Sequence, residues 1–176
     1  MSRVEPNTID FSPFAPALPP GRARVIPWVT VMAGSLVTII PVIASLPLLP
    51  PVGLIMLLTW RLLARFSLRP WAGAPLGLFD DIVSGQPIGS SMLLWSIVMI
   101  GIDLFEQRLI LRDFWQDWLL FAAGIIFSVT AGRIIAIPLG AHVDTMLLAQ
   151  IVMAILLFPL TARLVAWIDR KRGPAE

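Results

Sequence analysis

The side chains best suited to chemistry in this 176-residue sequence form three small groups. They are Asp80 with Asp81, Asp103 with Glu106, and His142 with Asp144. Paired carboxylates can serve as a general acid and a general base. A histidine beside a carboxylate can contribute to a metal site, although a structural metal site normally needs four ligands. Each group also has a purely structural interpretation, and the surrounding residues must be used to choose between them.

The pair Asp80 and Asp81 lies inside an apolar region, where a charge is costly and usually faces protein, water or a partner. Arg133 lies in a later apolar segment, at a position that the chain directions place at a similar membrane depth. We therefore expect an ion pair between Arg133 and Asp81 or Asp80. Two alternatives remain open, namely that the carboxylates cap a hydrated turn or that they serve transport or catalysis.

The other two groups are better explained as structural. Asp103 and Glu106 lie three residues apart at the end of a predicted helix, which is typical of a solvated face or of partners for an arginine. His142 and Asp144 suit a surface turn in which Asp144 caps the next helix. The sequence contains no metalloprotease, serine-hydrolase or phosphate-loop motif and no cysteine. It therefore predicts a protein that is not an enzyme and that needs no cofactor or metal.

Composition indicates which elements must position these residues. The chain is 57% hydrophobic and 14% charged, whereas soluble domains are about 25% charged. Residues 25–60 contain no charge at all, and one membrane span needs about 20 residues. The sequence predicts an all-α membrane protein, a six-helix transmembrane bundle. Its spans are expected at about residues 25–46, 49–65, 70–84, 88–106, 115–138 and 143–168.

The predicted organisation has three parts: a proline-rich, flexible cytoplasmic tail over residues 1–24, a six-span domain over 25–169, and a basic cytoplasmic tail over 170–176. Of the 13 lysines and arginines, all but Arg133 fall in the N-terminal tail, in the second and fourth loops, or at the C-terminal end. Positively charged loops stay in the cytoplasm, so both termini are expected there. The basic groups expected to be available to partners or lipid are Arg61, Arg65, Arg69, Arg170, Lys171 and Arg172.

A repeat of small residues surrounds the aspartate pair. Gly77, Asp81, Gly85 and Gly89 recur at every fourth position, and residues four apart share one face of a helix. Small residues on one face permit close helix packing in lipid or binding of a partner helix. Glycine favours a left-handed helix end, and Pro87 can begin a helix but not continue one. The stretch is therefore predicted to be a helix, a tight turn near Gly85, and a new helix.

The same stretch resembles a known family. Its pattern Gly-Leu-x-x-Asp-Ile-x-x-Gly-x-x-Ile-Gly, from Gly77 to Gly89, is similar to the central motif of the bacterial rod shape-determining MreD proteins, with Asp81 at the aspartate of the motif. Pro50 and Trp60 match a proline and a tryptophan ten residues apart in the preceding span of that family. The chain departs from the family after Trp60, where an arginine-rich segment replaces a more apolar one.

The resemblance implies a function and a set of partners. It implies a fold like that of the substrate-binding subunits of ECF vitamin transporters, and a location in the bacterial inner membrane. It also implies a scaffold that maintains cell shape by organising peptidoglycan synthesis, with MreC and with MreB, RodA and a class B penicillin-binding protein. The alternative is a substrate-binding subunit of a small-molecule transporter. The net charge of +2 and the absence of interleaved aromatic and basic residues argue against a nucleic-acid partner.

Overall fold

The computed structural model describes residues 21–37, 50–64, 67–108, 113–136 and 144–171. Over these ranges the chain forms α-helices, with one 3-10 turn at Pro70–Ala72 and no strand, which confirms the all-helical prediction. The six helices are α1 (Gly21–Leu36), α2 (Val52–Leu63), α3 (Gly73–Ser84), α4 (Ser90–Glu106), α5 (Phe114–Ala136) and α6 (Asp144–Lys171).

The predicted tails need correction at both boundaries. Helix α1 begins at Gly21, so residues 21–24 are helical and do not belong to a flexible tail. Helix α6 continues through Arg170 and Lys171, so the last helix extends into the segment predicted as the basic tail. The remainder of both tails, residues 1–20 and 172–176, lies outside the described residues.

Helix length separates the six helices into two kinds. The segments Phe114–Ile135 of α5 and Leu147–Lys171 of α6 are long and apolar enough to cross a membrane. Helices α2 and α3 have 12 residues each, about 18 Å at 1.5 Å per residue, which is shorter than a hydrocarbon core of about 30 Å. Helix α2 lies within the predicted span 49–65, and α3 together with the preceding 3-10 turn covers the predicted span 70–84.

The long helices present apolar side chains outward. On α6 an exposed stripe repeats at every fourth residue: Leu148, Val152, Leu156, Leu160 and Leu164. Helix α5 also exposes large apolar side chains, among them Trp115, Leu119, Ile126 and Ile134. Large contiguous apolar surfaces are rare on soluble monomers and mark contact with lipid or with another protein. The exposed faces of the two helices therefore suit contact with lipid or with another protein, and both helices are long enough to cross a membrane.

Helix α2 is the centre of the bundle. Residues 53–62 are all buried, and α2 contacts α1, α4, α5 and α6. Two polar contacts cross from it to its neighbours. The Trp60 indole N–H donates to the Thr30 hydroxyl on α1 at 2.8 Å, and the Thr59 and Thr161 hydroxyls lie 3.2 Å apart between α2 and α6. A short apolar helix is stable here because its whole surface is covered by others.

The helices alternate in direction. Ser35 at the end of α1 and Asp80 near the end of α3 both approach Gly53 at the start of α2. Arg133, near the end of α5, lines a cavity together with Asp80 and with Gln150 in the first turns of α6. We call this the cavity end of the bundle. Arg61, near the end of α2, lies at the opposite end with the last residues of α4, and we call that the arginine end.

Candidate functional site

The turn between α3 and α4 has the predicted shape. Helix α3 ends at Ser84, and Gly85 follows in the left-handed conformation with φ of 68°. Gly89 precedes α4 with φ of 99°. Residues with a side chain rarely adopt such angles, because the Cβ atom meets the following carbonyl oxygen. The two glycines therefore allow α3 to reverse into α4 within five residues.

Asp81 closes this turn from within α3. Its side chain is 1% exposed. The backbone N–H groups of Gly89, Ser91 and Met92 donate to its carboxylate at 2.8, 2.8 and 3.3 Å, and the Ser90 hydroxyl donates at 3.0 Å. The first N–H groups of a helix have no partner within the helix, and a negative charge beside them is favourable. Asp81 therefore caps α4 from the preceding helix.

Gly77, one turn before Asp81, allows α3 to approach α4 closely. A Cβ atom at this position would lie 2.6 Å from the Ser91 carbonyl oxygen and 2.7 Å from the Met92 backbone. The prediction of close packing is therefore confirmed for Gly77. It is wrong for Gly85 and Gly89, where a Cβ atom would meet nothing within 4 Å. Those two glycines are required by the turn and not by a packed face.

The predicted ion pair of Arg133 is not formed with either aspartate. Among the described side chains, Asp81 bonds to the start of α4, and Asp80 accepts a hydrogen bond from the Ser91 hydroxyl at 3.3 Å. Arg133 lies at the depth that we expected, since it lines the same cavity as Asp80. The predicted position of Arg133 near Asp80 was therefore correct, and the predicted ion pair was wrong. The start of α4 provides hydrogen-bond donors that lie nearer to the aspartates than Arg133 does.

The cavity shared by Asp80 and Arg133 has a volume of about 270 Å³, and we call it the polar cavity. Its polar lining also includes Gln86, Ser91, Ser128 and Gln150. Leu54, Leu94 and Trp95 form part of its apolar wall. The Ser128 hydroxyl is buried and has no hydrogen-bond partner within the part of the chain that the structure describes. The site therefore combines opposite charges, neutral polar groups and an unused hydroxyl.

A second charged group lies at the arginine end. The Arg61 guanidinium is 2.8 Å from Asp103 and 2.9 Å from Glu106, and its side chain is 4% exposed. Arg61 was predicted to lie in an accessible cytoplasmic loop, and this is wrong, because the side chain points into the bundle. Asp103 and Glu106 are partners of an arginine, as their spacing suggested. The sequence contained the three residues but no indication that α2 and α4 would bring them together.

The other predicted basic residues are distributed differently. Arg69 is exposed, and so are Arg170 and Lys171 at the end of α6, where the Lys171 ammonium lies 3.8 Å above the Trp167 ring. Arg65, Arg172 and His142 lie outside the described residues, as does the side chain of Asp144, with which α6 begins. Among the described residues no three carboxylate or histidine side chains are grouped so that they could hold a metal ion.

Sequence reasoning missed two residues of the polar cavity that matter to it. Ser128 and Gln150 are isolated polar residues in long apolar helices. An uncharged polar side chain in such a helix indicates a binding site only when the helix that it faces is known.

Comparison with known protein families, with curated proteins and with solved structures finds no match for this chain.

Proposed function

We propose that the protein is an integral membrane scaffold that acts through its helix surfaces and catalyses no reaction. One observation supports this most directly: the carboxylates best placed for chemistry are engaged in bonds between helices. Asp81 caps α4, and Asp103 and Glu106 bind Arg61. A carboxylate with several strong donors is poorly suited to exchange a proton with a substrate. The surface left for function is the apolar exterior of α5 and α6.

The scaffold spans the membrane six times with both termini in the cytoplasm. The alternating helix directions support this arrangement, since each helix returns to the side from which the previous one started. The arginine end would face the cytoplasm, because nearly all positive charges of the sequence flank that end. The short helices α2 and α3 are accommodated because their neighbours surround them within the bundle.

Its biological role is to maintain cell shape in a bacterial inner membrane, as in MreD proteins, by organising peptidoglycan synthesis. This part rests on the sequence pattern from Gly77 to Gly89, and the close approach at Gly77 and the cap at Asp81 give that pattern a physical purpose. Because both residues are internal, we assign partner contact to the exposed faces of α5 and α6. The partners are MreC and, through it, MreB, RodA and a class B penicillin-binding protein.

Depletion of the protein in its native host tests this role. Depleted cells should lose rod shape and grow as spheres, and expression of the unmodified chain from a plasmid should restore the rods. Affinity purification of the tagged chain should recover MreC. Rod-shaped growth after complete depletion, confirmed by immunoblotting, would contradict the proposal.

A second function is favoured by the polar cavity. A substrate-binding subunit of a small-molecule transporter needs such a cavity near one end of its bundle, and Asp80 and Arg133 line one. Uptake assays with reconstituted protein and its host membrane partners distinguish the two functions. Ligand-dependent uptake would favour the transport subunit, and normal cell shape after depletion would favour it further.

A further inference from the structure

The polar cavity is formed by elements far apart in the sequence. Asp80 comes from α3, Ser91 from α4, Ser128 and Arg133 from α5, and Gln150 from α6. Four helices thus place a polar group around one volume of about 270 Å³. Most of the buried surface elsewhere in the described bundle is apolar. A concave site with a few convergent polar groups and an apolar wall is typical of a small-ligand site.

The charges of the cavity are balanced but not joined. Asp80 contributes one negative charge and Arg133 one positive charge, and no ion pair joins them. A buried charge is stabilised only by an opposite charge or by strong hydrogen bonds. The Ser91 hydroxyl donates to one Asp80 oxygen at 3.3 Å, and the carboxylate also lines the cavity, where a guest can supply a further donor. The two charges therefore match a guest that has one charge of each sign.

Ser128 supplies an independent observation. The residue is 5% exposed and lines the cavity, and its buried hydroxyl has no hydrogen-bond partner among the described residues. Buried polar atoms almost always have a partner, and each exception calls for an explanation. A guest in the cavity that bonds to this hydroxyl provides one.

From these observations we propose that the polar cavity binds a small zwitterion. Its ammonium group contacts the Asp80 carboxylate, its anionic group contacts the Arg133 guanidinium, and Ser128 donates to or accepts from it. The volume of about 270 Å³ corresponds to about nine water molecules at about 30 Å³ each. That space accommodates an amino-acid-sized molecule, and it also accommodates the headgroup of a zwitterionic phospholipid.

This inference goes beyond the scaffold function and does not depend on it. A scaffold that binds a zwitterion would couple its stability to the supply of that molecule, since any ligand that binds only the folded state stabilises it. A transport subunit would in addition release the molecule on the other side of the membrane. Binding and not transport is therefore the quantity to measure.

The experiment uses the full-length chain in phosphatidylglycerol nanodiscs and measures thermal unfolding. The soluble probes are L-leucine and glycerophosphoethanolamine at millimolar concentration, with isoamylamine and 4-methylpentanoate as analogues of leucine that have a single charge. In a second arm, phosphatidylethanolamine replaces part of the nanodisc lipid. A zwitterion should raise the unfolding temperature, and the analogues with one charge should raise it much less. If only the soluble probes raise the unfolding temperature, the ligand is a free small molecule. If only phosphatidylethanolamine raises it, the ligand is a lipid headgroup.

Ser128→Leu is the principal variant, because it fills the cavity and removes a hydroxyl that bonds to no described residue. The variant should fold and should bind the zwitterion at least tenfold more weakly. Asp80→Asn and Arg133→Gln should also weaken binding, and Arg163→Gln, an exposed charge on α6, should not. The proposal is overturned if neither soluble probes nor phosphatidylethanolamine stabilise the protein. It is also overturned if Ser128→Leu responds like the unmodified chain, or if the singly charged analogues stabilise equally.

Discussion

Replacing Asp81 by asparagine removes one negative charge and one acceptor oxygen from beneath the first turn of α4. One carboxylate oxygen accepts from the Gly89 and Met92 N–H groups, and the other accepts from the Ser90 hydroxyl and the Ser91 N–H group. An asparagine amide can place its oxygen toward one pair only. We expect the amide oxygen to face the Gly89 and Met92 N–H groups. The amide nitrogen then faces Ser90, whose hydroxyl can rotate and accept a hydrogen bond from it.

The Ser91 N–H group then faces an amide donor and has no acceptor. A buried donor without a partner costs about 1–3 kcal/mol, and a bond to a neutral acceptor is about 1 kcal/mol weaker than one to a charged acceptor. Part of this loss is offset because a neutral amide is less costly to bury than a carboxylate. We expect Asp81→Asn to lower the free energy of unfolding by about 3 kcal/mol.

The matched control is Asp80→Asn, which removes the same charge from the neighbouring residue. Asp80 accepts its hydrogen bond from the Ser91 hydroxyl, which can rotate to suit an amide, so this change should alter the free energy of unfolding by less than about 1 kcal/mol. Both variants are unfolded by sodium dodecyl sulfate in mixed micelles and followed by circular dichroism. Equal losses in the two variants, or a stable Asp81→Asn protein, would refute the capping role of Asp81.

Three further predictions concern packing, charge and backbone conformation, each measured by the same unfolding titration. Gly77→Ala should destabilise the protein, because the added Cβ atom would lie 2.6 Å from the α4 backbone. At Gly101 an added Cβ atom meets nothing within 4 Å, so Gly101→Ala should stabilise α4 by about 1 kcal/mol. Stabilisation by both substitutions would show that α3 and α4 are not in close contact. Arg61→Met should lower the free energy of unfolding by about 2–3 kcal/mol, which is less than for a fully buried pair because one acidic partner is 39% exposed. Arg69→Met, at an exposed position, should change the free energy of unfolding by no more than about 0.5 kcal/mol. Equal effects would place Arg61 in a solvated loop. Gly85→Ala should lower the free energy of unfolding by about 1 kcal/mol, because Gly85 has a φ of 68°. Gly85→Asn should lower it less, since asparagine tolerates this conformation. An alanine variant as stable as the unmodified chain would argue against the left-handed turn.

Much of the fold follows from local pattern. Six apolar segments separated by charges or prolines predict the positions of six helices, because helix formation in an apolar setting depends mainly on the segment itself. The turn at Gly85 was predictable for the same reason, since a left-handed helix end depends on the residue that occupies it. The depth of Arg133 relative to Asp80 followed from counting residues along alternating helices.

The partners of the charged residues did not follow from pattern. Hydropathy treats Arg61 as the end of an apolar segment, and a charge at such an end is normally assigned to a loop. Whether its side chain turns outward to solvent or inward to Asp103 depends on the rotation of α2 about its own axis. That rotation is decided by all the side chains packed around the helix, which lie far away in the sequence.

The sequence by itself therefore determined the all-helical class, the approximate places of the six helices among the described residues, and the sharp turn between the third and the fourth. The tertiary structure alone decided that Asp81 caps the next helix, that Arg61 is buried, and that Asp80, Ser128 and Arg133 surround one cavity. The physical reason is that helix formation is governed by neighbours in sequence, whereas the pairing of a buried polar group is governed by whichever donor or acceptor the packed helices bring within 3 Å of it.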